Sequence, residues 1–187
     1  MRSDEANEVV RILEGTSVSV SYTFVNPKEV IFEENVRMNC FYCGHYNNNW
    51  RCPPRIPDID YPKLFSEFDE GLLIALQYPI QQKEQFATIR HNSSVELLKL
   101  LWRLEEWMWA HDRANALSFG AGSCKLCKDG CGKEHCNNPY LDRSALESVG
   151  VNVVKTAKKY GIQVHFPPKN ELMRVGLIMW QEGEKES

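Results

Sequence analysis

Leu72-Leu73-Ile74-Ala75-Leu76-Gln77-Tyr78, closed by Pro79, is an apolar run of strand length and reads as a buried strand. A strand of this kind needs other elements to cover it. Downstream, Ser93 to about Leu117 is the strongest helical pattern. Leu97, Leu100, Leu101, Leu104, Trp107 and Met108 recur along it, with charges between them. Asn92 or Ser93 is expected to cap this helix, and Glu96 completes a capping box with Ser93. Upstream, Ser17 to Val25 alternates, with Val18, Val20, Tyr22 and Phe24 on one side and Ser17, Ser19, Ser21 and Thr23 on the other. That is a half-buried strand ended by Asn26-Pro27.

The remaining elements follow the same logic. Glu5 to Glu14 gathers Val9, Val10, Ile12 and Leu13 into a short amphipathic helix stopped by Gly15. Tyr61 to Phe68 is expected to form a helix capped by Asp60. Ser144 to Tyr160 reads as helix interrupted at Gly150 and closed by Gly161. Ile162 to Phe166 and Met173 to Trp180 read as strands separated by Pro167-Pro168. Strands alternate with helices. The expected architecture is a single α/β domain over residues 1–181, with a mixed sheet, flanking helices, two cysteine-rich metal-binding loops and a charged tail over 182–187.

The composition is that of an ordinary globular chain: 187 residues, 43% hydrophobic and 25% charged. Disordered, collagenous and coiled-coil classes are excluded. A formal net charge of −3 carries no footprint for nucleic acid or an anionic membrane surface. The polar, acidic start lacks the apolar core of a secretory signal, and no apolar run approaches the roughly 18 residues of a membrane span. A cytoplasmic, reducing compartment is expected. There, clustered cysteines bind metal or do redox chemistry more often than they pair.

Seven cysteines fall in two groups. Cys124, Cys127, Cys131 and Cys136 follow C-x2-C-x3-C-x4-C within one loop, with Gly130 and Gly132 to let the backbone wrap a compact object. One knuckle followed by two single cysteines favours a [4Fe–4S] cluster over Zn²⁺, which more often takes two knuckles separated by a longer loop. Lys125, Lys128 and Lys133 either offset cluster charge or simply solvate the loop, and His135 is a spare ligand. The other group, Cys40, Cys43 and Cys52, follows C-x2-C-x8-C and leaves one ligand position unfilled. His45 completes a Cys3His zinc site in one reading. In another, a cluster keeps an iron open to a small ligand, and in a third a partner supplies the fourth thiolate. Tyr42, Tyr46 and Trp50 interleave with these thiols, as shielding or as packing. Arg51 and Arg55 read either as solvated surface or as partners of an anionic ligand or cluster.

These landmarks carry a resemblance. Cys40-x-x-Cys43, Tyr46, Trp50, Cys52-Pro53-Pro54, Cys124-x-x-Cys127, Cys131, Cys136, Pro139 and the stretch from Arg143 to Val153 together resemble a prokaryotic family of predicted metal-binding proteins common in anaerobes. The chain departs from that pattern at Asn137, where the family has arginine, and at Arg143-Ser144, where a proline intervenes. The resemblance implies metal binding through the seven cysteines and brings no reaction with it.

Three functions follow as expectations. The first is an iron–sulfur protein with one or two [4Fe–4S] clusters, transferring electrons with a redox partner or within a larger complex. The second is a cluster-dependent enzyme or assembly factor using an open iron at the three-cysteine group. The third is a zinc-stabilised interaction module. No phosphate loop, dinucleotide fingerprint or HExxH motif is present. His111-Asp112 reads as the end of the long helix rather than an acid–base pair. Trp102, Trp107, Met108 and Trp109 read as core, with any exposed remainder a partner surface.

Overall fold

The computed structural model describes residues 3–182, so all but the first residue of the expected charged tail over 182–187 lies outside the described residues. Four strands, β1 (Ser19–Val25), β2 (Glu70–Pro79), β3 (Leu117–Phe119) and β4 (Glu171–Trp180), form one sheet in the order β1-β2-β4-β3. Five helices, α1 (Ser3–Glu14), α2 (Glu34–Tyr42), α3 (Tyr61–Ser66), α4 (Phe86–Ala110) and α5 (Val153–Lys159), surround it. The α/β content matches the sequence reading. The sheet itself is antiparallel at every strand pair rather than mixed; among the described residues the parallel element is a single bridge, Gly120 to Ala145. Strands β2 and β3 run parallel to each other with β4 inserted antiparallel between them, so β2, α4 and β3 make a split βαβ crossover.

Both faces of the sheet are covered, which is why β2 is apolar throughout. Leu72, Ile74 and Leu76 pack with Leu97, Leu101 and Leu104 of α4 and with Val9 and Leu13 of α1. Leu73 and Ala75 point the other way, toward Phe65 of α3, Ala157 of α5 and Val149, which precedes α5. Gly176 of β4 lets α4 approach closely, because a Cβ there would lie 3.0 Å from Leu97 Cδ1 and 3.2 Å from Phe119 O. On β1, Tyr22 and Phe24 stay 40% and 47% exposed, since this strand forms a sheet edge.

Several local expectations hold. Asp60 caps α3 by accepting from the Lys63 N–H at 3.0 Å. Gly150 interrupts the 144–160 stretch at φ +97°, between a 3-10 turn at Glu147–Val149 and α5. Others are corrected. Helix α4 starts at Phe86 and ends at Ala110, so Asn92 and Ser93 lie inside it. Their polar neighbours are spent on tertiary contacts instead: Ser93 Oγ accepts from Arg174 Nε at 3.0 Å, and Glu96 accepts from the Tyr78 hydroxyl at 2.8 Å. Residues 162–166 form no strand, because the segment runs from Ile162 in the core to Phe166, 83% exposed.

Candidate metal centre

The first cysteine group is built on the end of α2. A bridge from Phe32 to Val151 and the Glu33 N–H to Gly150 O bond (2.9 Å) tie the start of that helix to the fold. Cys40 lies in its last turn and Cys43 at its C-cap, whose N–H donates to Cys40 O at 3.2 Å. Turns then fold the chain back, with Asn47 at φ +56° donating its N–H to Pro53 O and Cys52 donating to Asn49 O. Cys40 and Cys52 become half-buried while Cys43 stays exposed. Burial pushes the Cys52 thiol up to about 11; the Arg51 charge opposes this, and Cys40, Cys43 and Asp142 reinforce it. Burial likewise raises Cys40, with Glu147 and Cys43 adding to the effect and Arg37 opposing it. The three thiols therefore form one electrostatic group.

The second group sits in a long loop without helix or strand, after β3. Cys124 is buried, and burial with the Asp142 charge pushes its thiol up to about 12 against a Leu126 N–H and Arg51. Cys127, Cys131 and Cys136 are half-buried. Asn138 serves two of them at once: its backbone N–H donates to Cys136 Sγ at 3.4 Å and its side-chain Nδ2 to Cys127 Sγ at 3.1 Å. Gly132 is required by space, since a Cβ there would come 2.2 Å from His135 O. The loop is fastened to α4 through Arg143, whose Nε donates to both oxygens of the buried Glu105 at 2.9 and 3.0 Å. Glu105 also accepts from the N–H and hydroxyl of Ser118 at 2.9 and 2.6 Å.

The two loops touch. Cys131 Sγ donates to Asn49 Oδ1 at 3.4 Å, and Trp50 Nε1 donates to Gly132 O at 2.8 Å. Arg51 Nε stands 3.8 Å from Asp142 Oδ1. Arg51 is 1% exposed, which removes the solvated-surface reading of that residue. Arg55 differs: it stacks over the Trp50 ring at 4.8 Å and donates to Asn47 Oδ1. His45 is half-buried; among the second loop's other charged residues, His135, Lys128 and Lys133 are exposed and Lys125 is half-buried.

All seven cysteines are free thiols. Among the described residues, no three His, Cys, Asp or Glu side chains stand at metal-holding separations. The donor chemistry nevertheless fits a thiolate-bound metal. The donors are soft sulfur, two sulfurs already accept N–H bonds from Asn138, and a buried cation lies between the groups. Capture of metal would require the loops to draw the thiols inward and release their protons.

A model of the family described as predicted metal-binding protein (DUF2284) matches residues 23–180, both cysteine groups included. The chain belongs to that family. DUF2284 is thus a family of predicted metal-binding proteins, and the matched span runs from β1 to the last residue of β4. No curated protein and no solved structure matches the chain.

Sequence reasoning missed Asn49, Asn138, Asp142 and Glu147. Asn138 was within reach, being a short amide two places after Cys136; the others depend on contacts distant in sequence. His111 is the C-cap of α4, stacked on Trp107 at 4.1 Å, as its position suggested. Met108 is core, but Trp102 and Trp107 are half-buried and Trp109 is exposed. Trp102 instead supports the second loop, under Arg143 at 5.2 Å and beside Tyr140. A cleft of about 680 Å³ beside β1, lined by Tyr22, Gln77, Tyr160 and Met173, includes none of the cysteines. Among the described residues no helix is long and apolar enough to cross a membrane.

Proposed function

We propose that this protein carries iron–sulfur clusters on its two cysteine loops and transfers electrons to and from a redox partner protein. The observation that carries the reading is the adjacency of two thiol groups, seven sulfurs in all, joined by Asn49, Trp50 and Arg51. Four thiolates saturate one zinc ion or one [4Fe–4S] cube, so seven cysteines on two touching loops exceed what a single structural ion takes. Neighbouring clusters suit one-electron transfer, which is the chemistry a bound cluster supplies. Asn138 would orient Cys136 and Cys127 toward a bound metal, and N–H bonds to sulfur are a lever on cluster potential. Burial of Cys124 and half-burial of Cys40 and Cys52 keep water from most of the sulfur.

A second reading has its own support. The first group lacks a fourth thiol, and its Cys43 is exposed. A cluster there would keep an iron facing solvent, able to take a small ligand, as in an enzyme or assembly factor. Anaerobic purification followed by iron, labile sulfide and zinc analysis with a visible absorption spectrum tests both. The expected result is iron and sulfide in equal amounts, about four of each per cluster. Zinc without labile sulfide would overturn the iron–sulfur reading in favour of a zinc-stabilised module. Partial chelation of iron in the intact protein, confined to the first group, would favour the open-iron reading.

A further inference from the structure

Three consecutive residues of the first loop reach across to the second, and the side chain of the third is without hydrogen bonds. Arg51 is buried, and none of Nε, Nη1 and Nη2 has a hydrogen-bond partner. A guanidinium keeps its charge in a folded protein, so burial must be answered by negative charge close by. The carboxylate it faces does this incompletely. Asp142 Oδ1 is 3.8 Å from Nε, beyond hydrogen-bond reach, and has no hydrogen-bond partner either. The room for the guanidinium is built in: at Gly120 a Cβ would lie 2.3 Å from Arg51 Nη2. Arg51 stands between the groups: Cys52 of the first is next in sequence, and Asp142, which Arg51 faces, accepts through Oδ2 from Cys136 Sγ of the second at 3.7 Å. Neutral thiols do not answer a buried cation; thiolates do, and metal capture is what makes them.

We propose that Arg51 is the counter-charge shared by both cysteine groups, donating its fork of N–H bonds to metal-bound sulfur on either side while Asp142 fixes its position. It is a positioning residue for two centres at once. The proposal rests on the metal–thiolate reading above, and its test separates the two.

Cobalt(II) is the probe, because thiolate ligation of Co²⁺ is seen in the absorption spectrum whichever metal is native. The full-length chain is titrated in two backgrounds, C40S/C43S/C52S, which leaves the four-cysteine group, and C124S/C127S/C131S/C136S, which leaves the three. In each, R51M is expected to weaken Co²⁺ binding about tenfold or more, the scale of a lost charge-assisted hydrogen bond. R51K should recover part of the affinity in both backgrounds, R51Q should not, and R103M, on the exposed side of α4, should leave both unchanged. Circular dichroism establishes that each variant is folded; if R51M is not, the R51K and R51Q pair carries the comparison. Weakening in one background alone, or in neither, overturns the proposal. So does R51K as weak as R51Q. Thermal stabilisation of the metal-free protein by phosphate or sulfate that vanishes in R51M also overturns it, and assigns Arg51 a free anion instead. Absence of any cobalt–thiolate absorption in the unmutated chain overturns the metal reading itself, and this inference falls with it.

Discussion

The two cysteine loops are held in opposite ways. The first grows from the end of a helix and is tied to the fold by backbone bonds at Ile31, Glu33 and Gly150 and by a solvent-facing ion pair, Glu33 with Lys155. The second has no regular structure, yet it is anchored through a buried charge pair, Glu105 with Arg143, and lined with N–H donors to sulfur. A loop without secondary structure needs such anchors to keep several side chains in register. The first loop can leave a sulfur exposed at Cys43 because the helix already positions it. The difference is in access: the thiols of the second loop are fixed and at least half-buried, while the first loop leaves Cys43 open to solvent.

The largest effect should come from the buried anchor. Arg143→Ala leaves the Glu105 carboxylate buried without its charged partner and is expected to cost about 3–5 kcal/mol in denaturant unfolding. An effect no larger than that of a surface substitution would break the contrast in anchoring. Asn138→Ala should come next. Loss of a bond that orients a ligand typically lowers metal affinity roughly 10–100-fold. That loss should be confined to the second group, as read by metal titration; equal loss at both groups would erase the distinction.

Thiol exposure sharpens the comparison in the metal-free protein. Cys43 should be the first cysteine alkylated under native conditions and Cys124 the last, as followed by peptide mass mapping. Reaction of Cys124 before Cys43 would reverse the assignment of accessible and fixed loops. The smallest effect belongs to the surface pair of the first loop. Lys155, then Asn152, holds the Glu33 carboxyl below the usual carboxylate range. The stabilisation is therefore present above the unfolded carboxyl value, near pH 4, and is lost as pH falls through the lower folded value. Lys155→Met should change the melting temperature only slightly at pH 7 and flatten its fall on the acid side. A large loss at neutral pH would mean that this pair is a true anchor.

Much of the fold was legible because it rests on local patterns. The apolar run at Leu72 to Tyr78 needs burial on both faces wherever it sits, and Asp60 caps its helix through a neighbour three residues on. What failed did so where tertiary contacts outbid local ones. Ser93 and Glu96 resemble a capping box, but Arg174 and Tyr78 claim them, so the helix extends past them to Phe86. Ile162 takes a core position against a face of the sheet, so its segment does not pair as a strand. Cysteine spacing marked both loops from sequence. Their contact was not legible, because it depends on Asn49, Trp50 and Arg51 meeting residues far along the chain, and burial of Arg51 has no sequence signature.

The central claim is that the three and the four cysteines form two neighbouring iron–sulfur centres. Its most direct test is the iron and labile sulfide content of the anaerobically purified chain beside its Cys40→Ala and Cys124→Ala variants. The account predicts about eight irons per chain, with each variant losing only its own share of about four. A chain that holds zinc without sulfide, or folded variants that each lose every iron, would contradict it.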